Sequence, residues 1–207
     1  MIASVGRTGA WPQAGRISAL VLLAALARAA IEPMGEGMAT AAFATVLLAG
    51  MVLTRPTSPL MGEGWSGGAA YSRWNTGRSL LGGLVVAALI VAPGLPALAG
   101  AGAGHASRGL DGWWAWAAVT ALVATLEEVA IRGALQGALT RGAGTLPAIA
   151  AGAAVFALIH LPRYGLGGLP LDFAVGVALG GLRAVSGRVL PCAVAHTAAD
   201  WAAWWMA

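Results

Sequence analysis

Thr125-Leu126-Glu127-Glu128-Val129-Ala130-Ile131-Arg132-Gly133 places two adjacent carboxylates and an arginine inside an apolar run that extends from Trp113 to Leu139. Such a run is long enough to cross a ~30 Å hydrocarbon core, where each charge near the centre costs roughly 2.5–3.5 kcal/mol on insertion scales. Charges kept at that cost are paired or functional. On a helix, Glu128 and Arg132 are i,i+4 and share a face, while Glu127 points about 100° away. The spacing therefore predicts a Glu128–Arg132 pair and a free carboxylate at Glu127. A buried Glu–Arg clip that merely fixes helix packing is the competing reading, and the other polar residues decide between the two.

The remainder of the 207-residue chain is equally apolar: 58% of it is hydrophobic and 10% charged, against about a quarter charged in soluble domains. Mean hydropathy is +0.77. This composition predicts an all-α integral membrane protein, a polytopic transmembrane helix bundle of about seven spans (six to eight). All 12 basic residues are arginine, which reads as anchoring at the membrane surface. No basic stripe is present, so nucleic acid is not an expected partner. Cys192 is the only cysteine, and no intrachain disulfide can form.

Residues 1–16 are polar and lead into an apolar run, Ile17–Ala27. Ala27-Arg28-Ala29 behind it resembles a signal-peptide cleavage site, but the run is read as a first membrane helix. A turn over Glu32–Gly37 separates it from a second span, Met38–Leu53. Thr54–Arg78, with Trp65, Tyr71 and Trp74 among arginines, reads as an interfacial loop. A third span, Ser79–Ala99, carries Pro93 and Pro96, which should kink or end it. His105 lies in the small-residue loop Gly100–Gly112 and reads as a solvated loop histidine.

Four apolar segments follow: Trp113–Leu139, Thr145–His160, Leu169–Ala184 and Val189–Met206, joined by the short turns Thr140–Gly144, Leu161–Gly168 and Val185–Arg188. The chain thus divides into variable N-terminal membrane helices with an interfacial loop (1–112) and a four-helix core (113–207). With a cytoplasmic N-terminus, Arg7, Arg16, Arg55, Arg73, Arg78, Arg141, Arg183 and Arg188 fall inside and only Arg28, Arg108 and Arg163 outside, as the positive-inside bias requires.

Glu127 and His160 both lie about 20 Å from the Thr140–Gly144 turn along their helices, at 1.5 Å per residue, so they are level across the hairpin. His196-Thr197-Ala198-Ala199-Asp200 adds an i,i+4 His and Asp on the last helix. A carboxylate and an imidazole sharing a water can divide general base and general acid work, and a second histidine beside a hydrogen-bonding side chain can stabilise an oxyanion. These parts describe amide hydrolysis by activated water. No serine or cysteine has the setting of a nucleophile.

Glu127-Glu128-x-x-x-Arg132, Phe156-x-x-x-His160 and His196-x-x-x-Asp200 resemble the signature of the CAAX protease and bacteriocin-processing (CPBP) family of intramembrane proteases. Phe173-x-x-Gly176-x-x-x-Gly180 looks like that family's glycine-patterned helix, so Phe156, Gly176 and Gly180 are expected to serve helix packing. The resemblance covers roughly Trp113 to Trp205. It implies that Glu127 and His160 activate the attacking water and that His196 and Asp200 hold the oxyanion side, with Glu128 and Arg132 as a structural pair. Asp200 stands where the prenyl endopeptidases usually have asparagine. An ionised aspartate would repel an oxyanion, so Asp200 must be protonated or must instead orient His196.

The family has been described both as metalloproteases and as metal-independent glutamate proteases. Glu127, Glu128, His160 and His196 could ligate zinc, but no metal-spaced motif is present, and no metal cofactor is expected. The expected partners are the bilayer and a membrane-anchored protein or peptide precursor. A lysine-free chain rich in Ala, Gly, Arg and Trp points to a bacterium of high genomic GC content, and so to its inner membrane. Two other readings compete: a proton-coupled transporter, since intramembrane Glu and His also build proton relays, and a non-catalytic immunity or scaffold protein of the same fold. Crowding of the polar residues into one half of the chain disfavours the first. Intact Glu127, His160 and His196 disfavour the second.

Overall fold

The structure, a computed structural model, describes residues 9–53, 74–94 and 112–206. Most of the expected interfacial loop, the end of the third span and the loop carrying His105 lie outside the described residues. Within them every regular element is helical: α1 (Ala10–Ile31), α2 (Glu36–Leu53), α3 (Thr76–Val91), α4 (Trp113–Ala143), α5 (Thr145–Ser186) and α6 (Leu190–Met206). The protein is an all-α membrane bundle. Among the described residues, four helical segments are long and apolar enough to cross a bilayer: Ala10–Met34, Glu36–Leu53, Trp113–Ala143 and Thr145–Ser186.

Burial is inverted relative to a soluble protein. Leu23, Leu26, Leu48, Leu53, Leu81 and Leu122 are exposed, whereas Glu127, Glu128 and Arg132 are buried. Lipid accepts the former without penalty, and only the bundle interior can satisfy the latter. α4 occupies the centre, in contact with α1, α2, α5 and α6. α1 buries Ala14, Ile17, Val21, Ala24 and Ala25 along one stripe. α2 buries Ala39, Phe43 and Leu47 at i,i+4,i+8.

Several boundaries differ from those expected. α1 begins at Ala10, well before Ile17, because Ala10 and Ala14 continue its buried stripe. Gln13 in that first stretch also accepts a hydrogen bond from Arg141 at 2.9 Å. α3 ends at Val91, where a short 3-10 turn, Ala92–Gly94, carries Pro93. α4 runs on to Ala143, past Leu139, and is π-helical over Val129–Leu135.

The expected Leu161–Gly168 turn is far tighter than a loop. α5 is helical on both sides of Gly165, whose φ of 66° and ψ of −174° interrupt it. A φ in this region carries almost no penalty for glycine alone. The two arms then fold back on each other. A Cβ on Gly176 would lie 2.7 Å from the Ala153 Cα, and one on Gly180 would lie 3.1 Å from Ile149. Both pairings are symmetric about Gly165, which identifies an antiparallel hairpin closed by small residues.

Candidate active site

α4 contributes Glu127 and Glu128 at the last turn before its π-helical stretch, a winding often found at functional sites. As the spacing predicts, the two carboxylates part company. Glu128 Oε1 accepts from Arg132 Nη1 at 3.0 Å, and both side chains are essentially inaccessible. The same oxygen faces His196 Nδ1 at 3.0 Å, a contact the sequence reading did not anticipate. Glu128 therefore joins α4 to α6 as well as to its own helix. Its second oxygen, Oε2, is buried without a hydrogen bond among the described residues.

Arg132 is held from three directions. Besides Glu128 it donates to the Gly176 carbonyl at 3.3 Å, and its guanidinium lies 4.5 Å from the centre of the Phe156 ring. One turn further along α4, Gln136 donates to the Gly180 carbonyl at 2.9 Å. The Arg132 and Gln136 contacts form a two-rung ladder from α4 to the second arm of α5. Cys192 Sγ lies 3.3 Å from the Leu179 carbonyl and ties α6 to the same arm. Gln136 was legible in principle, being i+4 from Arg132 in an apolar run.

Glu127 makes no such direct bond. Its Oε2 is 3.9 Å from His160 Nε2 and 3.8 Å from His196 Nε2, and all three groups are largely buried. These separations exceed a hydrogen bond and fit one small group bridging the three. The ring orientations are fixed from behind. His160 Nδ1 lies 2.8 Å from the Phe156 carbonyl, which can only accept, so the proton resides on Nδ1. His196 Nδ1 faces the Glu128 carboxylate and carries a proton for the same reason. Both Nε2 atoms consequently point at Glu127.

Phe156 and Tyr164 flank the His160 ring at 4.4 and 5.9 Å between centroids, Tyr164 lying parallel to it. Phe156 also meets the His196 ring at 5.3 Å. The i,i+4,i+8 spacing of Phe156, His160 and Tyr164 places them on one face. Asp200 Oδ2 is 3.6 Å from His196 Nε2 and partly exposed, at the edge of the cluster. Asp172, the only acid in the second arm of α5, is also buried, and its Oδ2 accepts no hydrogen bond among the described residues. It was overlooked at the sequence level.

One ligand atom each from Glu127, His160 and His196 lies within 4.8 Å of the others, a set able to hold a metal ion. The chemistry fits zinc: two imidazole nitrogens and a carboxylate are an established donor set. Each imidazole also donates its other ring N–H to an oxygen, as metal-bound histidines do.

Fold and site together define a class: a helical membrane protein with a buried carboxylate between two oriented imidazoles. Residues 109–202 match the family model described as Type II CAAX prenyl endopeptidase Rce1-like. The match spans all three motifs, and over these residues the chain is similar to CAAX-type (CPBP) intramembrane proteases at family level. No curated protein and no solved structure matches the chain.

Proposed function

We propose that the protein is an intramembrane endopeptidase that cleaves a peptide bond in a membrane-anchored protein or peptide precursor, with Glu127 and His160 activating the attacking water. The observation that carries this reading is the convergence of Glu127 Oε2 with two Nε2 atoms, both within 3.9 Å. Water held by Glu127 and His160 attacks the scissile carbonyl carbon. Its proton passes to the Glu127 carboxylate as the new C–O bond forms. The carbonyl oxygen becomes an oxyanion beside His196, which in its imidazolium form keeps Nδ1–H on Glu128 and donates Nε2–H to that oxygen. When the C–N bond breaks, the leaving amine takes the proton from Glu127, which restores the base.

Asp200 acts on His196 and not on the oxyanion, since it lies 3.6 Å from the imidazole nitrogen. Residues 113–207 form the catalytic core in this reading, because α4, α5 and α6 supply every reacting side chain. The N-terminal helices support it within what we take to be a bacterial inner membrane. The mechanism needs no metal. Were one bound, Glu127, His160 and His196 would hold it, and it would polarise the scissile carbonyl and acidify water.

The test is co-expression of the protein with candidate substrates bearing a hydrophobic tail, chosen from neighbouring genes, and mass analysis of the released fragment. Cleavage should disappear in Glu127→Ala and His160→Ala while the protein remains inserted and monodisperse. Glu127→Ala with most of its activity intact would rule out the assignment of the base. Full activity after exhaustive chelation, with no zinc by elemental analysis, is the expected result. Activity lost to chelation and restored by zinc would overturn the metal-free mechanism.

A further inference from the structure

On the far side of Arg132 from Glu127 a second polar cleft of about 270 Å³ opens at the turn joining α4 to α5. Arg132, Gln136, Thr140, Arg141, Thr145 and Arg183 supply its polar walls. Arg132 and Gln136 are buried at its inner end, and Arg141 and Thr145 are exposed at its mouth. Three guanidinium groups thus line one small cleft, and no carboxylate lines it among the described residues.

The Arg132 charge is matched by Glu128, whereas Arg141 meets the neutral amide of Gln13. Thr145 opens α5, whose N-cap is Gly144, and no side chain caps that end. Pro147 has no N–H and that of Ala148 bonds the Gly144 carbonyl, which leaves the Thr145 and Leu146 N–H groups and the positive end of the helix dipole at the mouth. The α5 first turn holds no acidic residue either. The Thr140 hydroxyl is spent on the Gln136 carbonyl, but guanidinium forks, the Thr145 hydroxyl and an uncapped helix start are groups that recognise a tetrahedral oxyanion. The volume suits a headgroup and not an acyl chain or a peptide segment.

We propose that this cleft is a binding site for a phosphate group, supplied either by the headgroup of an anionic lipid or by free phosphate. It does not depend on the proteolytic reading, since no residue named there except Arg132 touches the candidate active site. The position accords with a lipid source. α4 and α5 are both long enough to cross a bilayer, so their shared turn falls at headgroup level, where arginine and anionic lipid meet.

The intact protein, purified in a neutral detergent, can be tested with short-chain phosphatidylglycerol, short-chain phosphatidylcholine and inorganic phosphate. Retention is read by native mass spectrometry and stabilisation by the thermal unfolding midpoint. One phosphatidylglycerol should remain bound per chain and raise the midpoint, with phosphatidylcholine, whose phosphate is the same but whose choline cation the lining arginines repel, retained about tenfold less well. Stabilisation by inorganic phosphate as well would assign the site to the phosphate group itself. Stabilisation by phosphatidylglycerol alone would assign it to the lipid. Arg141→Gln with Arg183→Gln should abolish the preference, and Arg141→Lys with Arg183→Lys, which keeps the charge, should restore part of it. Equal retention of the two lipids with no phosphate effect, or an unchanged preference in the folded glutamine double variant, would overturn the proposal.

Discussion

Replacing Glu128 by alanine should destabilise the protein far more than replacing Glu127, although the two are neighbours and both are buried. Glu128 Oε1 is the acceptor for both Arg132 and His196, each at 3.0 Å. Its removal leaves a buried guanidinium uncompensated, a change that typically costs about 3–5 kcal/mol. The Gly176 carbonyl and the Phe156 ring still hold Arg132 in place, so it cannot simply swing out to water. Glu127 makes no hydrogen bond among the described residues, its nearest polar partners lying 3.8 and 3.9 Å away, and Glu127→Ala should shift stability by less than about 1 kcal/mol. The decisive comparison is the double variant Glu128→Ala, Arg132→Met, which removes both charges and fills the volume with an apolar chain. It should recover roughly 2 kcal/mol relative to Glu128→Ala, within the range of coupling energies for contacting groups. Reversible unfolding in mixed micelles, titrated with a denaturing detergent, measures all four proteins. Equal losses for Glu127→Ala and Glu128→Ala, or a double variant no better than Glu128→Ala, would refute the division of labour between the two carboxylates.

Glu127→Ala and His160→Ala should lower the rate of peptide cleavage to similar extents, and the double variant should be little worse than either, because groups acting as one unit are not additive. Additive losses in the same cleavage assay would sink the shared-water mechanism. Gly176→Leu should prevent folding, since its first side-chain atom already meets the Ala153 Cα at 2.7 Å, while Gly176→Ala should cost about 1–3 kcal/mol in the unfolding titration. Asp200→Asn should retain most of the activity, because the amide can still orient His196; loss comparable to His196→Ala would show that the charge itself is required. In a Cys192→Ala background, single cysteines at Thr140 and Gly144 should resist an impermeant thiol reagent added from outside, and cysteines at Gly165 and Gly168 should react. The reverse labelling pattern would invert the orientation.

Much of the site was legible in the sequence because helical periodicity is a strict geometric rule. The i,i+4 relation of Glu128 and Arg132 fixes their pairing. Equal distances from the Thr140–Gly144 turn bring His160 to Glu127, and Nε2 and Oε2 lie 3.9 Å apart. The α6 contacts were less accessible. The seven residues from Val189 to His196 amount to only about 10 Å of helix rise, yet the His196 Nε2 lies 3.8 Å from Glu127 Oε2. Rise along a helix says nothing about the tilt or offset of its neighbour, and the dual role of Glu128 Oε1 depends on that offset. The π-helical winding over Val129–Leu135 was equally invisible, because apolar periodicity is too coarse to register one extra residue in a turn. The Gly165 reversal was hidden for a different reason: Pro162, Gly165, Gly167 and Gly168 read as a turn over Leu161–Gly168, whereas the helix resumes immediately once a single glycine takes the positive φ.

Contacts among the polar residues bear on how deep the site lies. Arg28 and Arg163 both pair with Glu36, Arg163 at 2.6 Å, and this cluster joins the α1–α2 connection to the Gly165 reversal of α5. Arg141 meets Gln13, and Arg188 meets the Trp74 carbonyl at 3.0 Å. The first group contains arginines assigned to one side from charge bias alone, the second those assigned to the other, so the two ends of the bundle are internally consistent. Measured along α5, His160 sits about one turn from the Arg163 end. Measured along α4, Glu127 sits near the middle of a helix that runs from Trp113 to Ala143. Both hold because α4 is longer than the first arm of α5 and continues past Gly165. There Trp113 and Trp116 of α4 meet Trp201 and Trp204 of α6, and Trp201 donates to the Ala117 carbonyl at 3.0 Å. An aromatic cluster of this kind belongs at headgroup level. The Gly165 reversal carries the exposed Arg163–Glu36 pair, and charges so placed face water on that same side of the bundle.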